Sequence, residues 1–451
     1  MKIKSRKMLD HSFTGMGFIS VGVMGIVLLV ILLPIIYRGA QAYLFTETVE
    51  HRRFQNEKFQ RGDREELAAE YAAVRSARQP IYDAITAFEA KKREWDKGKK
   101  RQFRSELKAI KKALHHLLGP APGEKTPVLM RQQYGQTRWD RAEDKLHELL
   151  YREDWVDDPS GKTKELVQTF VPRVDLFKGT DLEPMFEYAE TNLEAMLRPK
   201  FTFYWQFLTD RSYDAHFFGG IGPEVRGTLL LTLGAIIFAI PFGIIAAIYL
   251  CEYAKPSKTV HILRSCINTL AGVPSIVFGL FGLAFFLNTL KLTESKSVLA
   301  GSMTLSLMIL PTIIRASEEA ILAVPFAYKE ASMGLGAGKW RTICKVILPA
   351  ALPGILTGIV LSMGRAAGET APIIFTAAVS VGDKLPLTEA FFAPTQALPW
   401  NIYNLCSEHE AVDAIRHVQY GMVFTLIAMV LLLNLLAIVF RARLHSKTKG
   451  V

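Results

Sequence analysis

The sequence predicts an all-α integral membrane protein with six transmembrane helices and one long, mainly helical insert outside the bilayer. Three observations carry this. Half of the 451 residues are hydrophobic, and they are bunched into six long apolar runs rather than spread along the chain. Each run is near the ~20 residues that a helix needs to cross a bilayer. A hydrophilic stretch of about 170 residues separates the first run from the second. Finally, the net charge of +11 is concentrated in the short segments that flank the runs.

The runs fall at Met16–Tyr37, Thr228–Leu250, Leu270–Leu290, Val298–Ile314, Ala351–Ala378 and Tyr420–Phe440. The first follows a basic start and precedes Ala40-Gln41-Ala42, which looks like a signal-peptide cleavage site. Its apolar run of about 21 residues exceeds the usual 7–15 of a signal core, so a retained helix is expected. The insert, Tyr43–Ala215, holds 31 Lys+Arg against 30 Asp+Glu, whereas the rest of the chain holds 23 against 13. The surplus is thus a positive-inside signal and argues against a nucleic-acid partner. Lys2, Lys4, Arg6 and Lys7, then Lys255, Lys258 and Arg264, then Lys339, Arg341 and Lys345, then Arg441, Arg443, Lys447 and Lys449 all land on one side of six spans. That side is the cytoplasm, with both termini on it. The insert and the 379–419 loop land opposite.

Cysteine use agrees. Cys251, Cys266 and Cys344 fall near the cytoplasmic side, Cys406 faces out, and the insert has none to form a disulfide. Within the insert, residues 63–76 and 81–118 read as helix, with Ile81, Ile85 and Phe88 at helical spacing. Gly119-Pro120-Ala121-Pro122-Gly123 ends that stretch, and a further helical patch at 137–152 precedes the turn-rich Asp157–Gly161. Residues 91–112 carry eleven basic and three acidic side chains. They read as a solvated helix face, with an anion-attracting docking surface as the sharper alternative.

The later spans carry small residues that let helices approach closely: Gly272, Gly279 and Gly282 beside Pro274 in the third. Thr228 and Thr232, one turn apart in the second, are expected to bond their own backbone. The fourth ends in Pro311 and Arg315, with Glu318 and Glu319 just beyond it in the cytoplasm.

Between the fourth and fifth spans stands EASMGLGAGKWRTICKVILP. It resembles the cytoplasmic signature loop of bacterial ABC-importer permeases: E-A-A, three residues, Gly, nine residues, a β-branched residue, one residue, Leu-Pro. Here the pattern is met by Glu330, Ala331, Gly336, Leu348 and Pro349, with Ser332 for Ala and Val346 for Ile as its departures. The RAAGETAP that follows looks like the phosphate-importer permeases of the PstA type. GGIGPEVRGTLLLT (219–232), AGVPSIVFGLFG (271–282), ILPTIIRASEEAILAVP (309–325) and LPWNIYN (398–404) agree in order.

Hydropathy and charge divide the chain into a cytoplasmic start and first span (1–42), a periplasmic insert (43–215) that the minimal permease pattern lacks, a span-bearing part (216–442) and a cytoplasmic tail (443–451); the resemblance makes 216–442 a permease domain with a coupling loop at 326–349. It also implies a place in the bacterial inner membrane and a set of partners. These are a second permease subunit (PstC type), two cytoplasmic ATPase subunits (PstB type), a periplasmic phosphate-binding protein (PstS type), inorganic phosphate and membrane lipid. A helix-turn-helix at 328–343, broken by Gly334, Gly336 and Gly338, would dock on the ATPase, with Glu330 as an anion near its start.

GLGAGKW looks like a phosphate-cradling loop, but Met333 and Trp340 occupy positions where GxxxxGK[ST] needs Gly and Ser/Thr. ATP hydrolysis is therefore assigned to a partner, and no enzyme activity to this chain. No cofactor is implied, and His115-His116, His409 and His417 lack companions at metal-ligand spacing.

Arg365 and Glu369 interrupt the fifth apolar run, one helical turn apart. Charges inside a span cost about 2.5–3.5 kcal/mol each on insertion scales. One reading is an ion pair that fixes helix register. The other is an anion path, where a guanidinium fork meets phosphate oxygens and a carboxylate balances it. Gly368 and Pro372 allow a local break there. The alternatives to a phosphate permease are a permease for a related oxyanion and a membrane sensor whose insert binds a ligand. A sensor leaves four further spans and the loop without a role.

Overall fold

The computed structural model describes residues 3–119, 137–157, 166–380, 386–409, 412 and 415–448. The chain divides into two compact units, Tyr43–Trp205 and the remainder. Hydropathy had drawn that boundary at Ala215. Gln206–Ala215 instead pack with the membrane segments, because Phe207 and Asp210 accept backbone hydrogen bonds from Ile221 and Gly222 at the start of the second span.

The chain begins with α1 (Ile3–Ala40). The polar unit follows with β1 (Leu44–Glu47), α2 (Val49–Phe59), α3 (Arg64–Glu94), α4 (Lys97–Leu118), α5 (Trp139–Leu150), β2 (Tyr151–Asp157), β3 (Leu166–Pro172), α6 (Glu183–Thr191), α7 (Leu193–Leu197) and β4 (Lys200–Phe203). It is mainly helical, with two antiparallel two-stranded ribbons, β1 with β4 and β2 with β3, that periodicity did not reveal. The helix boundary also differs from the expected one. α3 runs straight through Pro80, because Val74, Ile81, Ile85 and Phe88 keep one buried face on both sides of it. The break comes later, at Asp96, whose carboxylate accepts from the Gly98 amide and caps α4. α4 ends on Gly119, and residues 120–123 and 158–161 of the expected turns lie outside the described residues.

The core of this unit contains Ile81, Phe88, Ile110, Leu117, Leu149, Phe177, Met196 and Leu197, all essentially inaccessible. Each such side chain contributes about 1.5–3 kcal/mol by leaving water. Arg78 knits the helices together: Nε donates to the Met196 carbonyl (3.0 Å) and Nη1 to the Leu118 carbonyl (2.7 Å).

In the other unit a small ribbon, β5 (Ser212–Tyr213) with β6 (Phe218–Gly219), leads into α8 (Gly222–Ile248). Then come α9 (Lys258–Ala271), α10 (Ser275–Gly282, continuing in wide turns to Thr289), α11 (Val298–Leu322), α12 (Phe326–Gly334), α13 (Lys339–Thr342), α14 (Leu348–Gly368), α15 (Ala371–Thr376), α16 (Leu387–Ala390), α17 (Leu398–Ser407) and α18 (Arg416–Thr448). Among the described residues, five segments are long and apolar enough to cross a membrane: Ser12–Ala40, Gly222–Tyr253, Val298–Leu322, Lys339–Gly368 and Arg416–Arg443. The expected third span, Leu270–Leu290, is mostly α10 and its continuation, but it begins across a bend: Lys258–Ala271 and Ser275–Thr289 lie at 101° to each other, and counted as one broken span the pair makes six. Gly272-Val273-Pro274 causes the bend, since proline cannot donate to the ladder and disfavours helix before it.

α11 is the central helix of this unit. Ser302 sits under Gly234 of α8 and Ala316 under Gly358 of α14, so tightly that a Cβ at either glycine would lie 2.3 Å from the facing side chain. Glycine is thereby what sets helix separation here. α11 also runs past Ile314, so Glu318 is not free in solvent. It is buried, with Arg315 (2.9 Å) and Arg264 (3.3 Å) on its carboxylate.

Candidate functional site

Two constellations bear on function: the loop between α11 and α14, and the charged pair at the end of α14.

The loop is a helix-turn-helix. α12 starts after Pro325 and closes on Leu335-Gly336, and Gly336 takes φ +81°, a left-handed conformation that glycine adopts without a Cβ penalty. Nothing lies within 4 Å of the place its Cβ would occupy, so backbone conformation rather than space requires the glycine. Ser332 Oγ lies 3.0 Å from Thr342 Oγ1 and ties the two arms. Glu330 lies in the second turn of α12 rather than at its start, so the expected favourable field of the helix N-terminus has largely faded at its position.

Around this turn the surface is unusually apolar for a polar stretch. Leu335 is 89% exposed, and Phe326, Tyr328 and Trp340 are also open. Tyr328, Ala331, Ser332, Leu335, Gly336 and Arg341 line a groove of about 530 Å³. Beneath it the element is held firmly. Ile343 and Ile347 pack with Ala247 of α8, Ile321 of α11 and Ile355 of α14. Lys329 forms a salt bridge with Glu252, just past the end of α8, and the Lys339 ammonium sits 4.6 Å from the Tyr253 ring centroid. Leu348 and Pro349 are half-buried at the start of α14.

At the other end of α14 the helix stops at Gly368, so the expected single span to Ala378 is broken. Glu369 has extended backbone (φ −77°, ψ 130°), and the chain re-enters a short helix, α15, at Ala371. The pair is therefore not midway along one helix. Arg365 is in the last turn of α14 and Glu369 just beyond it, with Nε 3.4 Å from Oε1. A cation in the last turn is favoured by the helix dipole, which offsets the poorer order of arginine ahead of glutamate at this spacing. The Arg365 side chain is 39% exposed and that of Glu369 19%, so the guanidinium is the open member of the pair and the carboxylate is largely covered.

The structure brings together further polar residues that sequence reasoning passed over. Glu224, in the first turn of α8, is fully buried; its Oε1 accepts from Asn401 (3.0 Å) and lies 2.7 Å from His216 Nε2. Thr228 and Thr232, by contrast, bond their own backbone as expected: Thr228 Oγ1 donates to the Glu224 carbonyl and also accepts from the Leu398 amide, and Thr232 donates to the Thr228 carbonyl. GGIGPEVRGTLLLT and LPWNIYN are thus one place in the fold. Asn434 of α18 faces Gly364 one residue before Arg365. An asparagine inside LLLNLLAIV was the available signal for it. Among the described residues no group of histidine, cysteine and carboxylate side chains could hold a metal.

Residues 239–450 match the family described as binding-protein-dependent transport system inner membrane component. The probable ABC transporter permease protein YqgI of Bacillus subtilis is 33% identical over 244 residues, covering 52% of this chain and 81% of that one. Phosphate transport system permease protein PstA 1 of Mycobacterium tuberculosis is 36% identical over 225 residues, covering 50% and 71%. The PstA protein of Yersinia pestis is 36% identical over 228 residues, covering 50% and 74%.

Proposed function

The chain belongs to the binding-protein-dependent ABC permeases, membrane components of import systems, and from that premise we propose that it is the PstA-type permease subunit of an ATP-driven phosphate importer. The observation that carries the reading is the α12–α13 element: an exposed apolar turn built on Gly336, rigidly joined to α8, α11 and α14. That is the form a lever needs. One face is free to bind a moving partner, and the other is packed against the helices that must move.

Its partners are a second permease (PstC type), two cytoplasmic ATPases (PstB type) and a periplasmic phosphate-binding protein (PstS type). Glu330, Ala331, Gly336, Leu348 and Pro349 belong to the ATPase-coupling element, and Arg365 and Glu369 to the phosphate path. ATP binding closes the ATPases, the loop carries that motion into the bundle, and the path opens to the side where phosphate is delivered. The ATPases supply the hydrolysis, and this chain supplies the path. Support for the path comes from the exposed Arg365 guanidinium and from the helix break beside it.

Gly336→Asp tests the coupling element. A left-handed residue with a Cβ strains the turn, so the variant is expected in the membrane but with at least tenfold less co-purified ATPase. Normal complex formation with unchanged stimulated ATP hydrolysis refutes the assignment. Orientation is tested separately. With both termini cytoplasmic and the polar unit periplasmic, and with Cys251, Cys266, Cys344 and Cys406 replaced, an impermeant thiol reagent added to intact cells labels Lys178→Cys, an exposed site in that unit, but not Lys345→Cys in the loop. The reverse pattern overturns it.

A further inference from the structure

The ribbon that opens and closes the polar unit keeps its large apolar side chains on the wrong side for a soluble domain. β1 and β4 pair with Leu44 opposite Phe203 and Thr46 opposite Phe201. Side chains alternate along a strand, so Leu44, Thr46, Phe201 and Phe203 share one face and Phe45 and Glu47 the other. The second face is covered: Phe45 is buried, with the rings of His51 and Tyr204 against it. The first is not. Phe201 is 69% exposed, Phe203 60% and Leu44 45%, and Trp205, just past the strand, is 54% exposed. Single exposed apolar residues are ordinary, but a contiguous aromatic face marks a surface with a partner.

Chain connectivity identifies that partner. α1 is an apolar segment long enough to cross a bilayer, and it ends at Ala40, so its end lies at a membrane surface. Leu44 follows four residues later, within about 14 Å of extended chain. The return strand is tethered as closely: Phe207, two residues after Trp205, packs on Gly421 near the start of α18, itself an apolar span. Gly39 near the end of α1 lies against Phe424 of α18, so both tethers leave from the same ends of the same two spans. The headgroup zone of one leaflet is about 5–8 Å deep. Trp205 is of the ring type, apolar body with a polar rim, that settles there, and Leu44, Phe201 and Phe203 add apolar area that reaches beneath the headgroups.

We propose that the Leu44–Phe201–Phe203–Trp205 face is a lipid-seating surface, lodged in the headgroup zone of the leaflet at which α1 ends, with phospholipid as its partner. It requires nothing of the transport function.

The test uses the full-length chain with Cys251, Cys266, Cys344 and Cys406 replaced, in nanodiscs of phosphatidylethanolamine and phosphatidylglycerol. A nitroxide is placed at Phe203→Cys, at Phe201→Cys or, as an aqueous reference, at the exposed Arg104→Cys on α4. Dissolved oxygen concentrates in lipid, while a nickel chelate stays in water. The oxygen-to-nickel collision ratio is expected to be several-fold higher at 201 and 203 than at 104. A ratio equal to that at 104 places the face in water and overturns the proposal. A label that collides with neither reagent is covered by protein, which overturns it as well.

Discussion

Arg365 is the residue on which the transport reading turns, and its geometry suggests how to probe it. The guanidinium sits in the last turn of α14 with Glu369 3.4 Å away across the helix break. A fork that receives phosphate oxygens depends on two parallel donors, which lysine does not supply. Arg365→Lys and Arg365→Gln are therefore both expected to reduce phosphate uptake roughly tenfold or more, with assembly and basal ATP hydrolysis intact; each lost charged hydrogen bond is worth about 1.5–3 kcal/mol. Glu369→Gln should also impair uptake. A pair that merely fixes register predicts otherwise: exchanging the two, Arg365→Glu with Glu369→Arg, should then restore much of the uptake. Robust transport by the exchanged variant would sink the path assignment.

Elements show where sequence reading succeeds and where it stops. The apolar runs are long enough that hydropathy finds them, and the Gly336 turn is legible because its spacing leaves a glycine where the chain reverses. Hydropathy measures how many apolar residues follow one another, not their direction. It therefore began the third span at Leu270, ahead of the bend at Gly272-Val273-Pro274, leaving most of α9 in the flanking loop, and it joined α14 to α15 across Glu369-Thr370. The Glu224–Asn401 contact spans 177 positions, and no local pattern reports it.

The same holds for the tie between Lys329 and Glu252, 77 positions apart, which joins the lever to the end of α8. Glu252 is largely buried, so removing its partner strands a carboxylate. Lys329→Ala is expected to leave ATPase binding intact while lowering uptake by about fivefold or more, the scale of a weakened coupling between sites. Reversing the pair, Glu252→Lys with Lys329→Glu, should recover part of the loss. If the double reversal does no better than the worse single change, the tie does not transmit motion.

At the scale of the whole molecule the polar unit poses its own question, because its core is self-contained and its chain enters and leaves through one ribbon. Glu47 lies directly opposite Lys200, the last matched pair of β1 and β4. Facing residues of an antiparallel pair are about 5 Å apart, the span that a two-residue turn closes. The register thus defines a deletion that keeps the membrane unit and the pairing of β1 with β4, although it removes His51 from over Phe45: residues 48–199 replaced by Asn-Gly, whose positive-φ preferences match the turn required. None of the charged pair, the lever or the bundle core belongs to the deleted segment. The shortened chain is expected to insert, to assemble with its partners and to keep measurable phosphate uptake, with any loss appearing as a lower rate rather than an absent one. Complete loss of uptake from a stably inserted and assembled variant would put the polar unit on the substrate path itself.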